Sequence, residues 1–246
     1  MPSKPIPNNP HQESKRKSVK INESGEALAC LNDLNSSARI SVHPRYYWQK
    51  LPGAIPRCFA RETVVSKLIN AASQLPNGLS LVIWDSWRPL EVQRSLFDSY
   101  RKILAAQNPL WTEQELVENT SKFVAVPSID PHAPSPHVTG GAVDLSILDE
   151  SGVYLDMGTE FDDFSPLAFT RYYEVLLEKG ARLSSEDQNR LENRRLLYQV
   201  MIEAGFTNYT EEWWHYDYGN QSWAVQFDDT HAIYGTASLQ SMDASL

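Results

Sequence analysis

The stretch "SPHVTGGAVDLSIL", residues 135–148, decides the fold. Its second half, "AVDLSIL", alternates apolar and polar residues, which is typical of a strand. Its first half contains Gly140 and Gly141, which permit a tight backbone turn directly before that strand. The turn closes a Pro-rich stretch that begins at residue 126, and structureless segments of this length inside a compact domain usually carry a function.

The segments around this strand predict helices and further strands without a regular βαβ repeat. Two more strands are predicted at "LSLVIW", residues 79–84, and at "EWWHYDYG", residues 212–219. Apolar spacing, capping residues and helix breakers predict four helices, at residues 61–75, 89–107, 111–124 and 185–206. This order favours an α+β fold, a single domain with a mainly antiparallel sheet flanked by helices.

The two ends of the chain differ in composition. Residues 1–19 are polar and rich in Pro, Asn, Ser and Lys, so we expect a disordered tail and a folded domain over residues 20–246. The basic run of residues 15–17 is interpreted as part of that solvated tail. The N-terminus lacks the apolar core of a secretory signal, and two cysteines are no disulfide framework, so a reducing, cytoplasmic location is expected.

The composition argues against several kinds of partner. The formal net charge is −9, whereas surfaces that bind nucleic acids or anionic membranes need clustered Lys and Arg. No apolar run approaches the ~20 residues that span a bilayer, so membrane insertion is not expected. Seven Trp and eleven Tyr are suited to a core and to the walls of a small-ligand pocket.

His137 and Asp144 form the first candidate for chemistry. The glycine pair between them can turn both side chains toward one point, and imidazole and carboxylate are both good zinc ligands. Asp144 lies on the predicted strand, which gives a ligand rigid support. From the spacing alone, however, a loop histidine and a turn-capping aspartate are the simpler interpretation.

Glu212 and His215 form the second candidate, and their spacing presents a difficulty. Residues three apart on a straight strand point to opposite faces, so a joint site requires a bend or a turn here. A histidine ligand beside a glutamate is what metal-assisted hydrolysis needs. A core histidine packed against Trp213 and Trp214 explains the pattern equally well.

Arg88 in "WDSWRP", residues 84–89, is the third candidate. It lies where a strand gives way to a helix, and a fixed guanidinium there can stabilise an oxyanion. A salt bridge to Asp85 or another acid is the simpler interpretation. The three candidates together hold three metal ligands, a base and an oxyanion clamp, a combination that none of them holds alone.

This combination resembles the zinc-dependent D-alanyl-D-alanine dipeptidases of the vancomycin-resistance type, within the wider group of D,D-peptidases. "SPHVTGGAVD" matches every fixed position of the motif Ser-x-His-x-x-Gly-x-Ala-x-Asp. "EWWH" and "WDSWRP" match two further motifs, and "MGTEFD", "NRR" and "MIEAGF" match weaker ones in family order. Several motifs in order, from about residue 79 to about residue 219, are more specific than any one of them.

The resemblance implies a role for each matching position. Glu212 would be the general base that activates the zinc-bound water and the proton donor to the leaving amine, and Arg88 would stabilise the tetrahedral oxyanion. One Zn²⁺ per chain would be held by three ligands, His137, Asp144 and His215. The metal site would then lie at the sheet, in a catalytic domain spanning residues 20–246.

The resemblance also implies a small D,D-dipeptide as the substrate, D-alanyl-D-alanine or a similar one. Ser135 would contact its carboxylate and Asp162 its ammonium. Upstream of the motifs the sequence departs from the family pattern. Either Tyr46 or Tyr47 is expected to form part of the pocket wall there. Two alternatives remain open: a D,D-carboxypeptidase or endopeptidase acting on longer peptidoglycan peptides, and a non-catalytic zinc-binding module.

Overall fold

A computed structural model describes residues 4–9, 13–121, 123–163, 165–227 and 231–239 of the chain. Its strands, in chain order, are β1 Lys20–Ile21, β2 Leu28–Cys30, β3 Ile40–Val42, β4 Phe59–Arg61, β5 Ser80–Asp85, β6 Ala142–Leu148, β7 Thr207–Asn208, β8 His215–Asp217 and β9 His231–Ala232. Its helices are α1 Glu13–Arg16, α2 Arg45–Trp48, α3 Glu62–Gln74, α4 Leu90–Gln107, α5 Glu113–Thr120, α6 Tyr172–Glu178, α7 Ser185–Glu203 and α8 Gln221–Gln226. None of the helices in these ranges is long and apolar enough to cross a membrane.

The main sheet has five strands in the order β3-β5-β6-β8-β7. Three of its pairings are antiparallel, and the pairing of β3 with β5 is parallel. The sheet is therefore mixed rather than purely antiparallel, within a single-domain α+β fold. Two short sheets lie beside it: β2 pairs with β4 antiparallel, and β1 pairs with β9 parallel.

The central strand β6 is buried along its whole length. All seven of its residues are buried, including the polar Asp144 and Ser146. Its alternating sequence is typical of a strand with one wet face, but β5 and β8 flank it and the main core packs around it. Burying a carboxylate costs free energy unless the group has a charged or hydrogen-bonding partner, so the buried Asp144 is expected to have one.

The predicted helices are confirmed to within a few residues. Thr112 caps α5 and forms a capping box with Glu115, and Ser184 caps α7 by accepting from the amide of Asp187. The predicted strand at residues 212–219 was too long, because only His215–Asp217 is extended. A turn precedes it, in which the amide of His215 donates to the carbonyl of Glu212 at 3.3 Å.

The described part of the N-terminal segment packs against the domain, although its composition predicts disorder. Ile6 is buried, its amide donates to the Glu174 carboxylate at 2.8 Å, and its carbonyl accepts from Arg171 at 3.0 Å. Val19 belongs to a small apolar cluster with α8 and β9. Two buried apolar side chains, Ile6 and Val19, and the hydrogen bonds at Ile6 hold this polar segment against the domain.

Candidate metal and active site

The pairing register of the main sheet places three acidic or imidazole side chains on adjacent strands. Asp144 of β6 lies opposite Asp85 of β5 and opposite His215 of β8. The register between β5 and β6 shifts at Trp84, a bulge of the kind that re-aims side chains beside active sites. Directly opposed side chains on neighbouring strands lie within contact distance, so the sheet itself assembles this part of the site.

His137 reaches the same point from the loop before β6. It lies in a short 3-10 turn, Pro136–Thr139, which ends at Gly140 with a φ of 72°. A side chain on Gly140 would meet Leu28 at 2.5 Å, and one on Gly141 would collide with the carbonyl of Tyr218. The predicted tight turn is thus confirmed, because only glycine fits both positions.

His137, Asp144 and His215 form one buried cluster. His137 Nε2 lies 3.2 Å from His215 Nδ1, and the carboxylate oxygens of Asp144 lie 3.3 Å from the first nitrogen and 3.0 Å from the second. Donor atoms that share a tetrahedral metal at ~2.0–2.1 Å are about 3.3 Å apart. The three side chains therefore fit one divalent ion of zinc size.

The other nitrogen of each imidazole has a partner that fixes the ring. His137 Nδ1 lies 2.8 Å from the carbonyl of Ser86, and His215 Nε2 lies 3.2 Å from a carboxylate oxygen of Asp217. With those nitrogens acting as donors, His137 Nε2 and His215 Nδ1 present lone pairs to each other and to Asp144. Such an arrangement needs a cation between the nitrogens, either a proton or the metal that displaces it.

Asp217 is a buried partner of His215 that the sequence analysis did not single out. Its carboxylate lies 3.2 Å from His215 Nε2 and accepts from Asn220 at 2.6 Å. The available signal was the His-x-Asp spacing, since residues two apart on a strand share a face. A carboxylate on the far nitrogen of a ligating histidine raises its basicity.

We predict that Asp217→Asn weakens metal binding by about 10- to 100-fold, because the amide no longer polarises the imidazole of His215. Competition with a chromophoric chelator measures this affinity. An unchanged affinity would contradict the positioning role of Asp217.

Glu212 lies on the turn before β8 rather than on the strand. This turn brings its carboxylate to 3.8 Å from His215 Nδ1, the nitrogen that also faces Asp144, and so answers the difficulty of the odd spacing. Burial raises the pKa of Glu212 to about 8; the imidazole of His215 opposes that shift, and the carboxylate of Asp144 adds to it. A divalent ion in the cluster would lower this pKa and favour the ionised form.

Arg88 is buried at the edge of the cluster. Its Nε donates to Asp85 at 2.8 Å, so the ion pair expected as the simpler interpretation is present. Its Nη1 donates to Gln93 at 2.8 Å, and its Nη2 lies 3.4 Å from both Tyr46 Oη and Asp144 Oδ2. These contacts fix the guanidinium plane and point one edge toward the metal cluster.

One cavity of about 670 Å³ is lined by the metal cluster, by Glu212 and by Arg88. All seven residues singled out in the sequence line it: Arg88, Ser135, His137, Asp144, Asp162, Glu212 and His215. Ser135 Oγ is buried and has no hydrogen-bond partner among the residues that the structure describes. Tyr46 also lines the cavity and donates to Asp162 at 3.2 Å, whereas Tyr47 is 45% exposed and does not line it.

Comparison with known proteins identifies the family of the chain. The sequence model of the D-Ala-D-Ala dipeptidase family, peptidase M15, matches residues 28–234. The chain belongs to this family. The match includes all seven candidate residues that line the cavity.

Individual relatives support the same membership. The D-alanyl-D-alanine dipeptidase of Synechocystis sp. is 30% identical over 227 residues, 87% of this chain and 90% of that protein. The enzyme of that name from Escherichia coli is 29% identical over 163 residues, 65% of this chain and 67% of its own length. The one from Enterococcus faecalis is 28% identical over 140 residues, 56% and 62% of the two chains.

Membership in the peptidase M15 family makes the chain a metal-dependent hydrolase. The aromatic pair of the "EWWH" motif acts as packing, as expected. Trp213 and Trp214 are buried edge to face with ring centroids 5.3 Å apart. Trp214 also contacts Phe161, the neighbour of Asp162, so this packing ties the turn of Glu212 to the segment that carries Asp162.

Proposed function

We propose that this chain is a zinc dipeptidase that hydrolyses D-alanyl-D-alanine or a similar D,D-dipeptide. The observation that carries the proposal is the buried cluster of His137, Asp144 and His215 with the Glu212 carboxylate 3.8 Å from one of its ligand atoms. Two imidazoles and one carboxylate leave the open position that distinguishes a catalytic zinc site from a structural one. Bound there, zinc would polarise the scissile carbonyl and acidify a water molecule.

Glu212 is the proposed proton carrier. Its side chain is 20% exposed, so it stays within reach of the cavity while the turn before β8 holds its backbone. As a carboxylate it accepts a proton from the attacking water, and as the acid it returns that proton to the leaving amine. General acid–base catalysis by one positioned group serves both halves of peptide hydrolysis.

Arg88 is the proposed clamp for the oxyanion. Asp85 and Gln93 hold its guanidinium from one side, which leaves the Nη2 edge near Tyr46 and the cavity. A donor that is already oriented needs no reorganisation as the carbonyl oxygen gains charge. Arg88 therefore contributes most in the transition state and little to the binding of the ground state.

We predict that Arg88→Lys lowers kcat by about 10²- to 10³-fold with little change in KM. Lysine keeps the positive charge among the buried acids but loses the planar fork that reaches both Asp85 and the cavity. Steady-state kinetics on D-alanyl-D-alanine, with a melting curve as the folding control, measures the effect. A change confined to KM would contradict the clamp.

Asp162 and Ser135 are the proposed contacts for the charged ends of the dipeptide. Burial raises the pKa of Asp162 to about 7, with a further contribution from Asp144, so a substrate ammonium would restore its charge. Its φ of 61° is unusual for a residue other than glycine, and such strain is retained where the surroundings require it. The buried Oγ of Ser135, which has no partner within the described part of the chain, can donate to a carboxylate.

One observation favours a second candidate function, hydrolysis of longer peptidoglycan peptides by a D,D-carboxypeptidase or endopeptidase. The cavity of about 670 Å³ falls in the range of sites that enclose drug-sized ligands, which are larger than a dipeptide. The zinc-loaded protein should be assayed on D,D-, L,D- and L,L-dipeptides and on a muramyl pentapeptide. We expect cleavage of the D,D-dipeptide; cleavage of the pentapeptide alone would overturn the dipeptidase proposal.

A further inference from the structure

The candidate substrate-binding side chains that line the cavity match the charge of only one end of a dipeptide. Asp162 can carry the negative charge that suits an ammonium, whereas Ser135 offers a neutral hydroxyl to the carboxylate. The guanidinium of Arg88 is already paired with Asp85 and lies near Asp144. These three residues therefore provide no cation that is reserved for the carboxylate of a zwitterionic substrate.

We propose that Arg16 and Lys17, at the end of the N-terminal helix α1, form a cationic subsite for the substrate's C-terminal carboxylate. Both residues line the same cavity as the metal cluster. Arg16 Nη1 donates to the carbonyl of Pro134 at 3.0 Å, which holds its guanidinium beside the backbone that leads into Ser135. This inference rests on the proposed function and specifies how its substrate is recognised.

The exposure of the two side chains supports the assignment. Lys17 is exposed and Arg16 is half-buried, and both line the cavity that a ligand would enter. Asp130, an acid of the same lining, accepts from the amide of His132.

The segment that carries these cations is fixed to the domain by several contacts. Val19 packs with Ala224, Val225 and Ala232, and β1 pairs with β9 directly after it. The buried Gln221 connects this segment to the loop that contains His132, because its Nε2 donates to the carbonyl of Val19 at 2.6 Å and to that of His132 at 2.9 Å. The basic pair is therefore held in place at the cavity mouth.

The cationic subsite lies outside the part of the chain that matches the family. The family match begins at residue 28, and α1 ends at Arg16. The catalytic motifs alone do not predict it. The basic run of residues 15–17, interpreted from sequence as a solvated tail, contains one residue outside the cavity lining, Lys15, and two that belong to the lining.

The test is the double variant Arg16→Gln/Lys17→Gln, because glutamine removes each charge while keeping a donor for the carbonyl of Pro134. Lys15→Gln is the matched control, since Lys15 is exposed on the same helix but does not line the cavity. Each protein is assayed on D-alanyl-D-alanine and on its C-terminal amide. Melting curves verify that the segment remains folded.

We expect the double variant to raise KM for D-alanyl-D-alanine roughly tenfold with kcat unchanged, to leave KM for the amide as in wild type, and to weaken the salt dependence of kcat/KM. Lys15→Gln should match wild type. Equal effects on acid and amide, or a double variant equal to Lys15→Gln, would overturn the subsite alone. A wild-type protein that cleaves neither substrate would overturn the proposed function, and the subsite with it.

Discussion

Replacing Glu212 by alanine should lower kcat by about 10³-fold or more while the protein keeps one metal ion per chain. The carboxylate lies 3.8 Å from a ligand nitrogen of His215, but its expected task is proton transfer and not metal binding. Loss of a general acid–base group typically costs ~10²- to 10⁴-fold, and here one residue serves both steps. Steady-state kinetics and metal analysis of the same preparation measure the two effects.

Glu211→Ala is the matched control for this substitution. Glu211 is the neighbouring residue, but it is exposed, does not line the cavity, and accepts from Tyr209 Oη at 3.1 Å. We expect the Glu211 variant to retain wild-type kcat. If Glu212→Ala kept kcat within a few-fold of wild type, or lost its metal, the assignment of Glu212 as the proton carrier would fail.

Replacing His137 by alanine should abolish metal binding at stoichiometric concentrations, and with it the activity. His137 Nε2 lies within 3.3 Å of the other two ligand groups, so its removal leaves one imidazole and one carboxylate. Loss of a residue that only hydrogen-bonds a metal ligand typically lowers metal affinity by ~10- to 100-fold. Loss of the ligand itself should therefore lower the metal affinity by well over ~100-fold. Metal analysis of the purified variant after dialysis tests this directly.

His132→Ala supplies the control for the loss of an imidazole. His132 lies five residues away in the same loop and is exposed, and its side chain does not line the cavity. This variant should hold one metal ion per chain and show wild-type turnover. A His137→Ala protein with full metal occupancy would contradict the ligand assignment.

That the candidate site residues converge was predictable, because the candidate metal cluster draws on motifs that the sequence shows plainly. Gly140 and Gly141 indicate a tight turn, and the alternating stretch after them predicts the strand that carries Asp144. What periodicity could not supply is the pairing register, which places Asp144 opposite both Asp85 and His215. Register depends on contacts between segments that are far apart in the chain.

Other features escaped prediction for identifiable reasons. The turn at Glu212 was expected only because a joint site requires it; it is set by a backbone hydrogen bond to His215 and not by a proline or glycine, so the local sequence alone resembles a continuous strand. The parallel pairing of β3 with β5 leaves no local pattern in a three-residue strand. Composition also gives no sign of Ile6 and Val19, two buried residues of the N-terminal segment, because averaging over a polar segment hides them.

Release of D-alanine from D-alanyl-D-alanine by chelator-stripped protein, followed as zinc is added back, measures the proposed zinc dipeptidase activity itself. We expect no turnover without metal, activity that rises with zinc, and saturation at one ion per chain. Full activity in the stripped protein, or no D-alanine release from the fully zinc-loaded protein, would contradict it.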